Sequence, residues 1–298
     1  MPDIFDLKAL DSRRLRARRL AVPGADFLLR HAADDLLERL GAVSRRFADA
    51  VDFLTPEPLV ADALMQGGGV DRLLRLDRLP SAGLFPSAIA GGEAIPLAPA
   101  SVDLVVSVLG LQFVNDLPGA FIQVRRALRP DGLFLAVALG GETLTELRQS
   151  LAAAELEVRG GAAPRVAPFV PVREFGALLQ RGQFALPVAD LDRLTIRYAD
   201  ALALMRDLRA MGATNVLRER DRRPLSRAIV ARTAAIYAER FSDPDGRIRA
   251  TFDLVSISGW APHESQQQPL RPGSARTRLA DALKTTERKA GEKTRPEG

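Results

Sequence analysis

The chain contains no cysteine, only two histidines, and 5% aromatic residues, among them one Trp and two Tyr. Without cysteine there is no disulfide framework, no thiolate zinc site and no thiol nucleophile. A reducing, cytoplasmic setting fits that composition. His31 falls in a predicted helix and His263 after the last predicted strand. A two-histidine, one-carboxylate iron site would need both on one side of a cavity, so no metal is assigned. Few aromatics, none interleaved with a basic stretch, argue against a stacking platform for single-stranded nucleic acid, and no nucleic-acid partner is expected. No apolar run approaches the roughly 20 residues that span a bilayer. Serine acyl chemistry lacks its Gly-x-Ser-x-Gly elbow, and no internal repeat is evident.

What is present is a chain of 298 residues, 47% hydrophobic and 27% charged. That is enough for one large α/β domain with an elaboration, or for two smaller domains. The net charge of +5 owes much to an N-terminal arginine stretch, Arg13, Arg14, Arg16, Arg18 and Arg19, and to the tail. The stretch reads as a solvated basic helix, and its charge is compatible with peripheral association at an anionic membrane surface. Asp3, Asp6 and Asp11 among the arginines argue against an acid-poor transit peptide, so the segment reads as mature protein.

The hydrophobic period alternates between strand and helix. A helix is expected over residues 26–41, stopped by Gly41, and a first short strand over 48–53. Thr55 as N-cap with Pro56 at the first helical position predicts a helix from 56 to 66, ended by the Gly67-Gly68-Gly69 run. That run follows a helix instead of preceding one, so it reads as a helix terminus and not a phosphate loop. A second strand is expected over 71–76 and a weak third over 84–89. The clearest strand is 102–108, apolar apart from Asp103 and Ser107, as for a parallel strand covered on both faces. A helix over 117–128 stopped by Pro130, a strand over 133–139 and a helix over 142–158 follow. Beyond a connector containing Pro164, Pro168 and Pro171 come another helix, a hairpin of 183–188 with 191–198, helical residues 200–240 and a last strand over 249–260.

This order predicts an α/β, doubly wound, Rossmann-like sheet with an inserted helical cap. The expected divisions are an N-terminal helical segment (1–45), the α/β core (46–198), the cap (199–246), the last core strand (247–265) and a disordered basic tail (266–298). Ligands of such sheets bind beyond the carboxyl ends of the strands, which singles out Asp52, Asp77, the Glu93 loop and the stretch after Ser107.

The segment GGEAIPLAPASVDLVVSVLGLQFVNDLPGAFIQVRRALRPDGLFLAV, residues 91–137, resembles the second half of a class I S-adenosylmethionine-dependent methyltransferase core. Ile4-Phe5-Asp6, GGETLTELRQSL at 140–151, LMRDLRAMGATN at 204–215 and GWAPHESQQQPLRPGSA at 259–275 narrow the likeness. Together they resemble the methyltransferase-like assembly factors of respiratory complex I and their bacterial relatives, over nearly the whole chain. The neighbouring family, the malonyl-carrier-protein methyltransferases of biotin synthesis, is similar in the core and in a version of the 204–215 segment, but not in the Gly-Trp-x-x-His-Glu-Ser-Gln stretch. The resemblance implies an assembly protein whose partner is a complex I subunit, and, from the eukaryotic member, hydroxylation of an arginine on that subunit.

In methyltransferases of this class the first strand ends in an Asp followed by a Gly-x-Gly loop, where bare backbone lets the cofactor approach and free amides bind its carboxylate. Here Asp52 is followed by Phe53-Leu54-Thr55-Pro56-Glu57-Pro58. Phe53 and Leu54 add bulk, Pro56 and Pro58 lack N–H groups, and Glu57 repels a ligand carboxylate. The usual S-adenosylmethionine position is therefore expected to be closed or weakened. Asp77, 25 residues after Asp52, stands where an acid holds the ribose hydroxyls, and Glu93 where the family has an acid near the adenine. Ser107 completes the cofactor set. Gln112 and Asn115 are candidates for the substrate mouth, with capping of the next helix as their alternative role. Trp260, His263 and Glu264 are candidate substrate contacts, with packing and a backbone turn as the alternative. Three functions compete: an assembly factor that modifies a partner's arginine through an unconventional site, an active methyltransferase of the biotin-pathway type, and a non-catalytic assembly scaffold.

Overall fold

Period-2 burial builds the centre of the molecule. In the computed structural model, which describes residues 3–80, 85–267, 281 and 284, the strand of residues 102–108 sends Leu104, Val106 and Val108 into one core layer and Val105 into the other. The neighbouring strand does the same with Leu133, Leu135, Val137 and Leu139 on one face and Phe134, Ala136 and Ala138 on the other. Both faces are therefore covered, as a parallel sheet requires.

In chain order the elements are α1 (Leu7–Leu20), α2 (Phe27–Gly41), β1 (Phe47–Phe53), α3 (Leu59–Gln66), β2 (Val70–Asp77), β3 (Ser87–Ile89) and β4 (Val102–Val108). A 3-10 turn at Leu111–Phe113 precedes α4 (Leu117–Ala127), β5 (Leu128–Leu139), α5 (Thr145–Arg159), α6 (Val172–Arg181) and β6 (Ala185–Tyr198). The insertion α7 (Ala201–Ala210) and α8 (Arg227–Phe241) comes before β7 (Ile248–Trp260). Seven strands form one sheet in the order β3-β2-β1-β4-β5-β7-β6, with β7 antiparallel to both neighbours. The strand order reverses between the parallel neighbours β1 and β4, so the carboxyl ends of β1, β2, β4 and β5 border one crevice. The described residues up to His263 make one unit, the helical insertion included. Of the expected disordered tail, all but 266, 267, 281 and 284 lie outside the described residues.

Three local expectations are corrected. Thr55 does not cap a helix: Leu54 turns the chain at φ 60, Thr55 is buried and its Oγ1 accepts from the Val108 amide at 3.1 Å, and α3 starts only after Pro58. The hairpin of 183–188 with 191–198 is a single edge strand, β6, running the length of β7; Pro187 is tolerated at the register shift between Ala185 and Val188. The basic helix α1 is not merely solvated, because Arg14 and Arg18 are drawn into ion pairs.

Gly110 touches the same turn. A Cβ there would lie 2.3 Å from the Leu54 carbonyl oxygen, a contact with backbone that no side-chain rotation relieves. Gly110→Ala is expected to lower unfolding free energy by about 1–3 kcal/mol, read by urea denaturation. An unchanged midpoint would mean that the β1 turn is not packed as described.

Candidate ligand site at the strand ends

The crevice holds a cavity of about 630 Å³ lined by α1, the start of α2, the β1 turn, Gly92, Glu93, Leu109, Gly110 and Gln112. Its size is that of a small-molecule site. The acids beneath it are already engaged.

Asp52 and Arg75 are register partners on β1 and β2, both almost completely buried. Arg75 donates its Nε–H to Asp52 Oδ2 at 2.9 Å and an NH2 proton to the Thr55 carbonyl at 2.8 Å. Asp52 Oδ1 has no hydrogen-bond partner among the described residues. Burial pushes the Asp52 carboxyl up to about 6, with the Arg75 charge opposing the rise. Ser107, in the next strand, is fully buried and its hydroxyl is also unpartnered among the described residues.

Asp77 ends β2 and is 3% exposed. Both its oxygens accept from Arg14 of α1, Nη1 to Oδ1 at 2.9 Å and Nη2 to Oδ2 at 2.7 Å, a bidentate fork that is among the stronger hydrogen-bonded pairs in proteins. Arg14 and Arg18 further donate to the Pro56 carbonyl at 3.0 and 2.7 Å, and Arg18 pairs with Glu57 at 2.9 Å. Arg78, next to Asp77, holds Asp11 of α1 at 2.8 Å. The helix is thus stitched across the crevice by its own charges. Its start is fixed as well: Asp6 caps it through the Ala9 amide, and Arg220 reaches Asp6 at 2.9 Å.

S-adenosylmethionine in the usual pose would call on Asp77 and on the amides of the β1 turn, and as arranged these are engaged or missing. The carboxylate that would receive the ribose hydroxyls is committed to a guanidinium. Leu54 is buried in the turn with its amide donated to the Leu76 carbonyl at 2.7 Å, and Pro56 and Pro58 offer no donors.

Glu93 lines the cavity and makes no ion pair among the described residues; Oε1 accepts the Asn115 amide at 3.2 Å. Gln112 also lines it, buried, donating to the Leu109 carbonyl at 2.8 Å while its Oε1 is unpartnered among the described residues. Asn115 is used otherwise: its Oδ1 accepts the Ile4 and Phe5 amides at 2.9 and 2.8 Å, anchoring the segment before α1. Asp116, not Asn115, caps α4, through the Gly119 amide. Trp260 lies at the opposite end of the sheet, paired with Leu133 at the amino end of β5's core run, and Ala261 bonds Gly132 and Asp131 there. His263 is exposed two residues further on, and Glu264 begins the second unit. The structure does not bring Trp260 and His263 to the cavity. His31 lies 3.5 Å from Asp192, away from His263's strand end. Among the described residues no group of three or more His, Asp or Glu is placed to hold a metal, and no helix is long and apolar enough to cross a membrane.

The residues that sequence reading missed are Arg14 and Arg75. Arg75 carried a signal: a charge between apolar neighbours in a covered parallel strand must find a partner, and Asp52 is the acid in register with it.

Sheet order, the single antiparallel strand and the acids at the strand ends define a class I methyltransferase fold. Residues 75–136 match the family model described as a methyltransferase domain. Solved structures agree on the fold: a putative methyltransferase from Bacillus halodurans (TM-score 0.54, 11% identity, 77% of this chain and 100% of that one) and the YcgJ protein of Bacillus subtilis (TM-score 0.51, 14% identity, 76% and 98%). The zebrafish (Danio rerio) mitochondrial arginine-hydroxylase NDUFAF5 is 37% identical over 268 residues, 87% of this chain and 83% of that protein. The human protein of the same name is 41% identical over 189 residues, 63% and 54%. A malonyl-acyl-carrier-protein O-methyltransferase of Xylella fastidiosa (strain M23) is 41% identical over 179 residues, 59% and 58%. The chain belongs to the NDUFAF5 family of complex I assembly factors.

Proposed function

We propose that this chain is a complex I assembly factor that binds one partner subunit and directs the modification of an arginine on it, working in the cytoplasm or at the inner face of the membrane. The observation that carries this reading is the Arg14–Asp77 fork. A carboxylate at the end of β2 that serves a ribose in an ordinary methyltransferase here receives a planar guanidinium on both oxygens, the chemistry a substrate arginine offers. Arg14 then stands where a partner's arginine would dock, and α1 keeps the donor pocket of the parent fold shut. Glu93, free of ion pairs among the described residues, lines the cavity that Arg14 also lines.

Affinity capture of the full chain from its host, with mass spectrometry of the captured subunits, tests this. The expected result is a complex I subunit carrying one arginine with an added oxygen atom, absent when the gene is deleted. A captured subunit whose arginines are identical with and without the gene would support a scaffold instead.

A second reading, a methyltransferase acting on a carboxylated acyl group, is favoured by the 630 Å³ cavity and by the Xylella relative. It requires transfer of labelled methyl groups from S-adenosylmethionine to a malonyl-carrier protein.

A further inference from the structure

A second cavity of about 620 Å³ lies between α1, α5, α7 and the loop of residues 213–225. It shares Leu28, Phe113, Leu139, Met211 and Ala213 with the first cavity, but Glu93 does not line it. Its floor is apolar and buried, built from Leu139, Leu144, Leu147, Leu151, Leu208 and Phe252.

Charge is distributed quite differently at the mouth. Five arginines, Arg13, Arg165, Arg220, Arg222 and Arg223, face only Asp6 and Asp221. Arg165 is neutralised by Glu155 at 2.6 Å and Arg220 by Asp6 at 2.9 Å, while Asp221 is shared between Arg159 at 2.9 Å and Arg165 at 3.5 Å. Arg13, Arg222 and Arg223 make no ion pair among the described residues. Arg13 Nε is buried with no hydrogen-bond partner among the described residues. Burial pulls the Arg13 guanidinium below its ordinary value, and the nearby Arg220 charge lowers it further. A buried donor without an acceptor is costly in a folded protein, and an anion placed there removes the cost. Three arginines without an ion pair among the described residues, around a low-dielectric hollow where the charge of Asp6 bears on Arg13 and Arg222, also focus positive potential into it.

We propose that this cavity binds a single long-chain fatty acid, with its carboxylate on Arg13, Arg222 and Arg223 and its acyl chain along the leucine floor. A peptide arginine is repelled from such a mouth, so the ligand is distinct from the one assigned to the first cavity. The inference stands independently of the assembly-factor reading. The volume lies within the range of sites for one small ligand. The paired demand, an apolar tail and a planar bidentate anion, is what a fatty carboxylate supplies.

The test titrates the full-length, delipidated chain with hexadecanoate, with hexadecanol as the uncharged analogue and a single-chain lysophosphatidate as the phosphate-headed one. Hexadecanoate is expected to bind at least tenfold more tightly than either. Arg222→Gln with Arg223→Gln, both exposed positions that leave the core untouched, is expected to weaken hexadecanoate about tenfold, a loss of about 1.4 kcal/mol. The same pair should leave hexadecanol unchanged. Met205→Trp, which fills the hollow from α7, should weaken both. No binding of hexadecanoate, equal binding of hexadecanol, tighter binding of lysophosphatidate, or indifference to the double glutamine change would each overturn the proposal.

Discussion

Arg75→Met is expected to lower the free energy of unfolding by about 3–5 kcal/mol, because it leaves the Asp52 carboxylate buried without its counter-charge. Against a domain stability of roughly 5–15 kcal/mol, that loss brings the chain close to unfolding at physiological temperature. The double change Arg75→Met, Asp52→Leu should recover most of it, since a buried ion pair exchanged for apolar groups of similar volume is often neutral or stabilising. The pH dependence identifies the cause. In the native protein Asp52 titrates near 6, above the unfolded value, so its contribution to stability is fully present below about pH 4 and is lost as pH rises through about 6. Removing Arg75 takes away the charge that holds the carboxyl down, so it stays protonated to still higher pH. The deficit of Arg75→Met relative to the native chain should therefore be smaller near pH 5 and grow towards pH 8. Urea unfolding at the two pH values checks this, and a deficit independent of pH would remove the ion pair from its explanation.

The second large effect is expected at Arg14. Arg14→Gln releases both oxygens of Asp77 from the fork and removes one donor from the turn that follows β1, the one to the Pro56 carbonyl. Affinity for S-adenosylmethionine, measured by ligand-induced shift of the melting temperature, should rise at least tenfold, equivalent to about 1.4 kcal/mol. Asp77→Asn in the Arg14→Gln background should cancel the gain, because an amide is a poorer partner for two ribose hydroxyls than a carboxylate. A fall in affinity on Arg14→Gln would mean that the arginine assists the nucleoside instead of replacing it. The variant should also unfold more easily, since α1 loses one of the charges that stitch it over the crevice.

Much of this architecture was legible in the sequence because burial in a parallel sheet leaves a strong pattern. The apolar runs 102–108 and 133–139 locate β4 and the core run of β5, although β5 itself begins at Leu128 with a register shift before Leu133, and Gly67 marks the end of α3. The approximate place of Asp52, Asp77 and Glu93 followed from the topology alone. The partners of the first two acids did not. Arg14 meets Asp77 across 63 residues of chain, and nothing local in an arginine-rich helix tells which arginine turns inward. Thr55 misled because a Thr-Pro pair looks the same whether its hydroxyl caps its own helix or, as here, reaches the amide of a neighbouring strand. Edge strand β6 misled for a related reason: Ala189-Asp190 between two strand-like runs reads as the turn of a hairpin, whereas both residues stay paired to β7, opposite Ile257 and Ser256. Trp260 and His263 drew attention as rare residues in this composition, but β7 runs antiparallel and delivers its carboxyl end to the far side of the sheet. Strand direction, not residue chemistry, decides that.

Calorimetric titration of the unmodified full-length chain with S-adenosylmethionine bears most directly on whether Asp77 is held by Arg14 in solution. With the fork in place, no saturable heat is expected below millimolar ligand, and saturable binding should appear on Arg14→Gln. Micromolar binding to the unmodified chain, unchanged by that substitution, would contradict a crevice closed by α1.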